Sequence, residues 1–233
     1  NGEDIRPWTT GFAEFAARTE NHHYEISSEL ALAAAEFIVG NSDSARTMLH
    51  ELGTPCEALW KVIGPFDVNK GFHQTFWPEE RHVGEWLSEA QENNVIIQKR
   101  DKLFDGYVNL KEISGARFNQ AVYALLQINS PTVKKMQIHF GMNGKLKVWL
   151  NDENVLTRNE REHAYVDRYT ASVRLRPGAN WLLVRLSTGI DELGFYFRLT
   201  DQDGIPDPSV QFGPTVSITR DQLEEMIQDT KGA

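Results

Sequence analysis

The sequence predicts a mainly β protein, a β-sandwich, and three observations carry that expectation. The first is alternation. Met136, Ile138 and Phe140 fall on one side of an extended chain, while Lys135, Gln137 and His139 fall on the other. Leu146, Val148 and Leu150 then alternate with Lys145, Lys147 and Asn151. A period of two over this length belongs to strands buried on one face. The second is turn chemistry. Asn143-Gly144 lies between the two alternating runs, where a type I′ hairpin turn needs two positive φ angles. Pro177-Gly178 offers a second tight turn, proline setting φ and glycine accepting the positive φ that follows. The third is that no helical period interrupts Val173 and Leu175, then Leu182, Val184 and Leu186, then Phe195, Phe197 and Leu199. Short antiparallel strands in such a series belong to a sandwich.

Composition sets the outer bounds. The chain has 233 residues, 40% of them hydrophobic, enough for one large or two small domains with a sizeable core. Its 24 basic and 33 acidic residues leave a net charge of −9, which disfavours nucleic acid as a partner. A single cysteine, Cys56, allows no intramolecular disulfide and leaves the redox compartment open. The most apolar helical window, Leu30 to Val39, is short and interrupted by Glu36, so no membrane span is expected. No signal peptide is visible and the first residue is not methionine, so a processed form or an excised fragment is expected.

Taken in order, residues 1–20 hold Trp8, Phe12 and Phe15, anchors for a short helix over Thr10 to Arg18. Residues 22–52 read as an αα-hairpin: alanine and leucine dominate, Gly40 is a natural C′ residue, and Ser42 or Asp43 can cap the second helix. The pair is similar to a single tetratricopeptide-type unit. One such unit cannot bury its own apolar face, so it must lean on the sandwich or on a partner. Gly53-Thr54-Pro55 ends the helices, and Leu59, Trp60, Val62 and Ile63 open a strand that stops at Gly64-Pro65. Residues 67–103 read as a long loop, functional or folded on itself. Residues 104–112 read as a short strand, and 119–129, apolar on both faces, as a central strand covered on both sides. After a Pro/Gly-rich connection, Thr219 to Lys231 reads as a helix with Leu223, Met226 and Ile227 as its stripe. The expected organisation is an N-terminal arm and hairpin at 1–55, a sandwich at 56–205, and a linker with the C-terminal helix at 206–233. The expected core is Val62, Val122, Leu126, Met136, Ile138, Phe140, Leu146, Val148, Val173, Leu175, Leu182, Val184 and Phe197.

Several of these stretches resemble a known module. WKVIGPFDVNKGFHQTFWPEE (60–80) is similar to the opening of a jelly-roll module of bacterial secreted and periplasmic proteins. LFDGYVNL (103–110), AVYALLQINSP (121–131) and KLKVWLNDENVL (145–156) resemble its next strands, with Asp152 where that family usually has glycine. VRLRPGANWLLVRLSTG and GFYFRLTDQDG (173–204) resemble its last strands. The module is galactose-binding-like, a fold shared by many carbohydrate-binding modules, and often follows tetratricopeptide-type helices. The resemblance implies a periplasmic or secreted location. It also implies that a structural calcium is an option, at a site the sequence does not locate. The fold hosts many functions and fixes no ligand.

Candidate chemistry centres on the long loop. Phe72, Phe76, Trp77 and Trp86 could stack on sugar rings at the sandwich rim, or they could plug its end. Trp60, Trp149 and Trp181 sit inside strand patterns and read as packing residues. Asp67, Glu79, Glu80 and Glu85 invite a glycoside-hydrolase reading, but nothing fixes their separation, and adjacent Glu79 and Glu80 would point apart in an extended chain. Phe72, Trp77, Glu79 and Trp86 are therefore the candidate ligand-binding residues. The seven histidines show no metal-ligand spacing, and Cys56 has no local signature of a nucleophile, so neither a metal site nor a catalytic site is expected. TRNEREHAYVDR (157–168) reads as an exposed, mixed-charge hairpin extension. Two function classes follow. One is a non-catalytic accessory subunit, with hairpin, N-terminal arm and C-terminal helix docking to other protein subunits. The other is a carbohydrate-binding module that uses the loop aromatics on a polysaccharide. They differ in whether Trp77 and Trp86 are exposed together or the helices expose apolar area.

Overall fold

Alternating side chains and bulky β-branched runs give strands, and the chain lays them into two antiparallel sheets. The fold is a jelly-roll β-sandwich. A computed structural model describes residues 11, 14, 18, 21–55, 59–92, 96–98, 106–160, 163–187 and 192–213, with the backbone alone for 22, 88–92 and 96–98. The strands are β1 (Lys61–Asp67), β2 (Ile96–Gln98), β3 (Tyr107–Val108), β4 (Gln120–Ser130), β5 (Lys134–Asn143), β6 (Lys145–Leu150), β7 (Glu153–Arg158), β8 (Tyr169–Leu175), β9 (Gly178–Ser187), β10 (Gly194–Thr200) and β11 (Gln211–Phe212). The larger sheet runs β2-β1-β4-β9-β6-β7, with β11 added to β4, and the smaller runs β3-β10-β5-β8.

The apolar alternates meet between the sheets. Val122, Ala124, Leu126, Leu182, Val184, Leu186, Leu146 and Val148 of the larger sheet face Met136, Ile138, Phe140, Phe195, Phe197, Val173 and Leu175 of the smaller. Every residue that alternation placed in the core is there. Each large side chain so buried contributes about 1.5–3 kcal/mol. Trp60 closes one end, its ring edge-on to Phe195 and Phe197 with centroids 5.0 and 5.6 Å away.

The connections differ from the expectation. Asn143-Gly144 does not make a hairpin: β5 pairs with β8 and β10, while β6 pairs with β7 and β9. The chain crosses from one sheet to the other there. Gly144, at φ 111°, lets the backbone pass so close to β9 that a Cβ would lie 2.9 Å from the Ser187 carbonyl oxygen. Pro177-Gly178 likewise carries the chain from β8 in the smaller sheet to β9 in the larger. The two-residue hairpin turn is at Asn151-Asp152, with φ 50° and 70°, joining β6 to β7. Asn and Asp tolerate the left-handed region, so Asp152 serves where glycine is usual. Nor does β1 stop at Gly64-Pro65; it runs to Asp67 through a register shift between Ile63 and Phe66.

Both outer faces of the sandwich are covered by the chain itself. The hairpin helices, α1 (His22–Ile38) and α2 (Ser42–Glu51), lie on the smaller sheet. Asn21 caps α1 by accepting from the His23 N–H at 3.1 Å, and Gly40 turns the chain at φ 93°. Asn41, rather than Ser42, stands at the cap of α2. The apolar stripe Ile26, Leu30, Ala33, Leu49 and Leu52 buries against Val166 and Tyr196 of the sandwich. On the larger sheet, residues 68–92 are not a plain loop. They form α3 (Trp77–Glu80), with Pro78 at its start, and α4 (Val83–Glu92). Where the sequence predicts a short strand over 104–112, the described residues hold the two-residue β3 and the start of a short helix, α5 (Leu110–Ser114). The N-terminal arm's aromatic residues, Cys56 and the helix expected over 219–231 lie outside the described residues.

Candidate functional site

The register of the larger sheet sets Tyr123, Arg185 and Lys147 side by side on its outer face. Over them lie the four residues singled out in the sequence. Phe72 is 6% exposed and Trp86 is 0% exposed, so neither presents a face to solvent. Trp77 is half-buried, edge-on to Trp86 with centroids 5.1 Å apart. Glu79 points inward, its side chain 3% exposed. Its Oε1 accepts from Arg185 Nη1 at 2.6 Å and from the Tyr123 hydroxyl at 2.9 Å, and its Oε2 accepts from Lys147 Nζ at 3.3 Å. Arg185 also donates to the Gln74 carbonyl at 2.6 Å, and its guanidinium lies 5.3 Å from the Phe76 ring centre. Burial pushes the Tyr123 phenol far above its ordinary range. The four residues share one layer, and that layer pins the 68–92 segment to the sheet. Apolar residues on an amphipathic α4 bury for the same reason any helix stripe does.

Beside this layer is a cleft of about 250 Å³ lined by Glu79, Glu80, His82, Glu85, Trp149 and Asp152. His82 Nδ1 and Asp152 Oδ2 are 2.8 Å apart, and that hydrogen bond raises the imidazole above its ordinary range, with the charges of Asp152 and Glu85 adding to it. Glu80 accepts from the Thr75 hydroxyl and Glu79 is held by its three donors. Among the described residues no three His, Cys, Asp or Glu side chains converge to hold a metal ion.

The smaller sheet carries a different arrangement. Residues 163–168 cross its outer face: Val166 and Asp167 are buried there, while Thr157, Asn159, Glu160, His163, Tyr165 and Arg168 of the charged stretch are exposed as expected. Gly141 of β5 permits the crossing, since a Cβ there would meet the Tyr165 carbonyl oxygen at 1.8 Å. Arg198, outward on β10 and buried, pairs with Asp167 and donates from Nε to the Leu52 carbonyl at 2.7 Å. His139 lies opposite Arg198 and exchanges hydrogen bonds with Thr200 and Thr170 at 2.8 and 3.1 Å. This polar cluster clamps hairpin, crossing segment and sheet together.

Two clefts flank the crossing segment. The first, about 420 Å³, lies between it and α1 and is lined by Asn21, His23, Tyr24, Ser27, Tyr165 and Arg168. Tyr24 is 58% and Tyr165 64% exposed. The second, about 490 Å³, is lined by Tyr107, Lys111, Asn143, His163, Glu192 and Tyr196. Asn143 organises it, donating to the Tyr107 hydroxyl and to Glu192 Oε2, both at 2.9 Å, and accepting from the Ala164 N–H at 3.0 Å. Sequence reasoning missed both clefts, because Tyr24 sits in a helix and Tyr165 in a charged stretch more than a hundred residues later. No helix among the described residues is long and apolar enough to cross a membrane.

The fold and its clefts define a jelly-roll β-sandwich with a helical hairpin clamped on one face. No family model matches the chain, and no curated protein matches it. Solved structures with some likeness include the PA14 domain of the antifreeze protein MpAFP, 12% identical over 40% of this chain and 52% of that one, with a TM-score of 0.31. A β-glucosidase from Kluyveromyces marxianus is 14% identical over 43% of this chain and 14% of that one, with a TM-score of 0.33. A family 35 carbohydrate-binding module from Clostridium thermocellum is 16% identical over 35% of this chain and 71% of that one, with a TM-score of 0.25. The match spans about half the length of the first and far less of the second. Likenesses at such scores say nothing of ligand or activity.

Proposed function

We propose that this chain is a non-catalytic carbohydrate-binding module of an extracytoplasmic protein. The observation that carries the reading is the pair Tyr24 and Tyr165, both well exposed, lining one cleft with Asn21, His23, Ser27, Val166, Asp167 and Arg168. Flat aromatic faces beside hydrogen-bonding side chains suit a sugar ring, apolar on its C–H face and polar at its edge. The platform expected from Phe72, Trp77 and Trp86 is replaced by this one, because those rings serve to fix the 68–92 segment. Polysaccharide retardation in native gels tests the reading. A polysaccharide that retards the wild type should retard Tyr24→Ala and Tyr165→Ala about ten-fold more weakly, about 1.4 kcal/mol. Equal retardation of all three proteins would sink it. A second reading, an accessory subunit docked to a larger assembly, draws on Ile38 and Val39, 69% and 50% exposed at the C-terminal end of α1. It loses weight because the hairpin buries its apolar stripe on its own sandwich. Purification from the source under mild conditions checks it: a complex of fixed stoichiometry supports docking, and a lone monomer removes it.

A further inference from the structure

We propose that His23 is the hydrogen-bonding anchor of the Tyr24–Tyr165 cleft, holding a sugar hydroxyl at Nε2 as the neutral imidazole, so that acidification releases the ligand. This rests on the carbohydrate reading above and names the residue that regulates that same site. The first observation is a fixed tautomer. His23 Nδ1 lies 3.2 Å from the Val166 carbonyl oxygen. A carbonyl can only accept, so Nδ1 carries a proton in either charge state, and in the neutral ring Nε2 holds a lone pair. The second is that this lone pair is unused. The ring is exposed and lines the cleft, and Nε2 bonds to none of the described residues. Other polar groups of the cleft are engaged within the chain. Asn21 accepts from the His23 N–H, Ser27 donates to the His23 carbonyl, and Asp167 pairs with Arg198.

The Nδ1 bond also ties together the two walls of the cleft, α1 and the crossing segment, and so orients the ring. That segment is itself held. The Ala164 N–H is fixed by Asn143, Asp167 by Arg198, and the backbone of Tyr165 rests on Gly141 with no room for a Cβ between. A group positioned in this way loses little freedom on binding. The sign of the pH effect comes from burial. A hydroxyl can serve either form of the ring, donating to the neutral one or accepting from the charged one. A sugar laid over His23 strips water from it, and desolvation disfavours the charged form. The charged and titratable groups that line the cleft beside it are Arg168, Asp167, Tyr24 and Tyr165. Asp167 is already the counter-charge of Arg198, and Arg168 opposes a second cation in the cleft. On α1 itself Glu25 stands two residues on, a spacing at which helical side chains do not face each other. No described residue of α2 lines the cleft. Ligand binding therefore favours the neutral imidazole.

Two measurements on the full chain test this. Long-range proton–nitrogen NMR reads the tautomer without any ligand. The His23 signal, assigned by its loss in His23→Asn, should show the proton on Nδ1 at about pH 8, the upper end of the range in which imidazoles change charge. Native gels containing xylan, galactomannan or mixed-linkage β-glucan read the ligand. His23→Asn keeps an amide N–H for the Val166 carbonyl and removes Nε2. A polysaccharide that retards the wild type at about pH 8 should retard it about five- to ten-fold more weakly at about pH 5, the loss of one hydrogen bond. His23→Asn should be as weak at the higher pH as the wild type is at the lower, and should not change between them. Three results would overturn the role of His23 while Tyr24→Ala still weakens binding and the cleft stands: a proton on Nε2 instead, retardation that holds or rises on acidification, or a pH effect that persists in His23→Asn. Retardation by none of the three polysaccharides would overturn both readings.

Discussion

Replacing Glu79 with alanine separates a ligand-binding role from a structural one. The carboxylate is 3% exposed and is the counter-charge of Arg185, which is 0% exposed, and of Lys147, 12% exposed. Without it, Arg185 keeps the Gln74 carbonyl and the Ser187 hydroxyl as acceptors but no anion. Removing one partner of a buried ion pair costs about 3–5 kcal/mol, because the remaining charge stays desolvated. With a urea slope of about 3 kcal/mol per molar, the unfolding midpoint should fall by about 1–1.7 M. Glu79→Gln still accepts from Tyr123 but removes the same anion, so its loss should approach that of Glu79→Ala. The assay is equilibrium urea unfolding followed by tryptophan fluorescence, run beside polysaccharide retardation of the folded variant. A midpoint within about 0.2 M of the wild type, with retardation abolished, would refute the structural role and return Glu79 to the ligand. The combined change Glu79→Leu, Lys147→Met and Arg185→Met should be far milder than Glu79→Ala, since apolar replacement of a whole buried pair is often neutral.

Trp86→Ala should cost about 3–5 kcal/mol in urea unfolding while leaving polysaccharide retardation unchanged, because the ring is fully buried. Gly141→Ala should destabilise the fold by about 1–3 kcal/mol or more and weaken retardation as well, since its Cβ would displace Tyr165; thermal unfolding and native gels report the two effects together. The Lys134 and Ser209 hydrogen bonds hold Asp207 down at about 2, below its ordinary 3.8. A depressed acid contributes stability that is full above its unfolded pKa and is lost as pH falls through the folded one. A small loss of about 1 kcal/mol is therefore expected between about pH 4 and pH 2, and Asp207→Asn should remove it from the acid limb of the stability curve. His82 should titrate above 6.5 by NMR, its bond to Asp152 present at low pH and lost as pH rises through that raised value. Asp152→Asn should return it to the ordinary range.

The core was legible because it depends only on period: Met136, Ile138 and Phe140 must share a face wherever the strand goes. Pairing was less so. Asn143-Gly144 has the composition of a hairpin turn, but composition constrains only local φ and ψ, and β5 pairs with the distant β8 and β10 while β6 pairs with β7 and the distant β9. That the hairpin must lean on another surface was readable from its stripe; the choice between sandwich and partner was not. Nor was its clamp, because Arg198, Asp167 and Leu52 come together only in three dimensions. The same holds for the candidate site. Aromatic density in 72–86 marks a hydrophobic layer as well as it marks a platform, and burial alone decides between them.

From β4 onward the chain changes sheet at each connection except the Asn151-Asp152 turn. The two layers are therefore laced together, and neither can be assembled ahead of the other. Only β6 and β7 can zip up as close neighbours, so other pairings wait for distant strands to meet, which places folding on the slow side for a chain of this size. Lacing also sets how the molecule comes apart. A cut at an exposed crossing leaves two pieces whose strands still alternate through both layers, so a nicked chain should hold together until the denaturant that unfolds the intact one separates them.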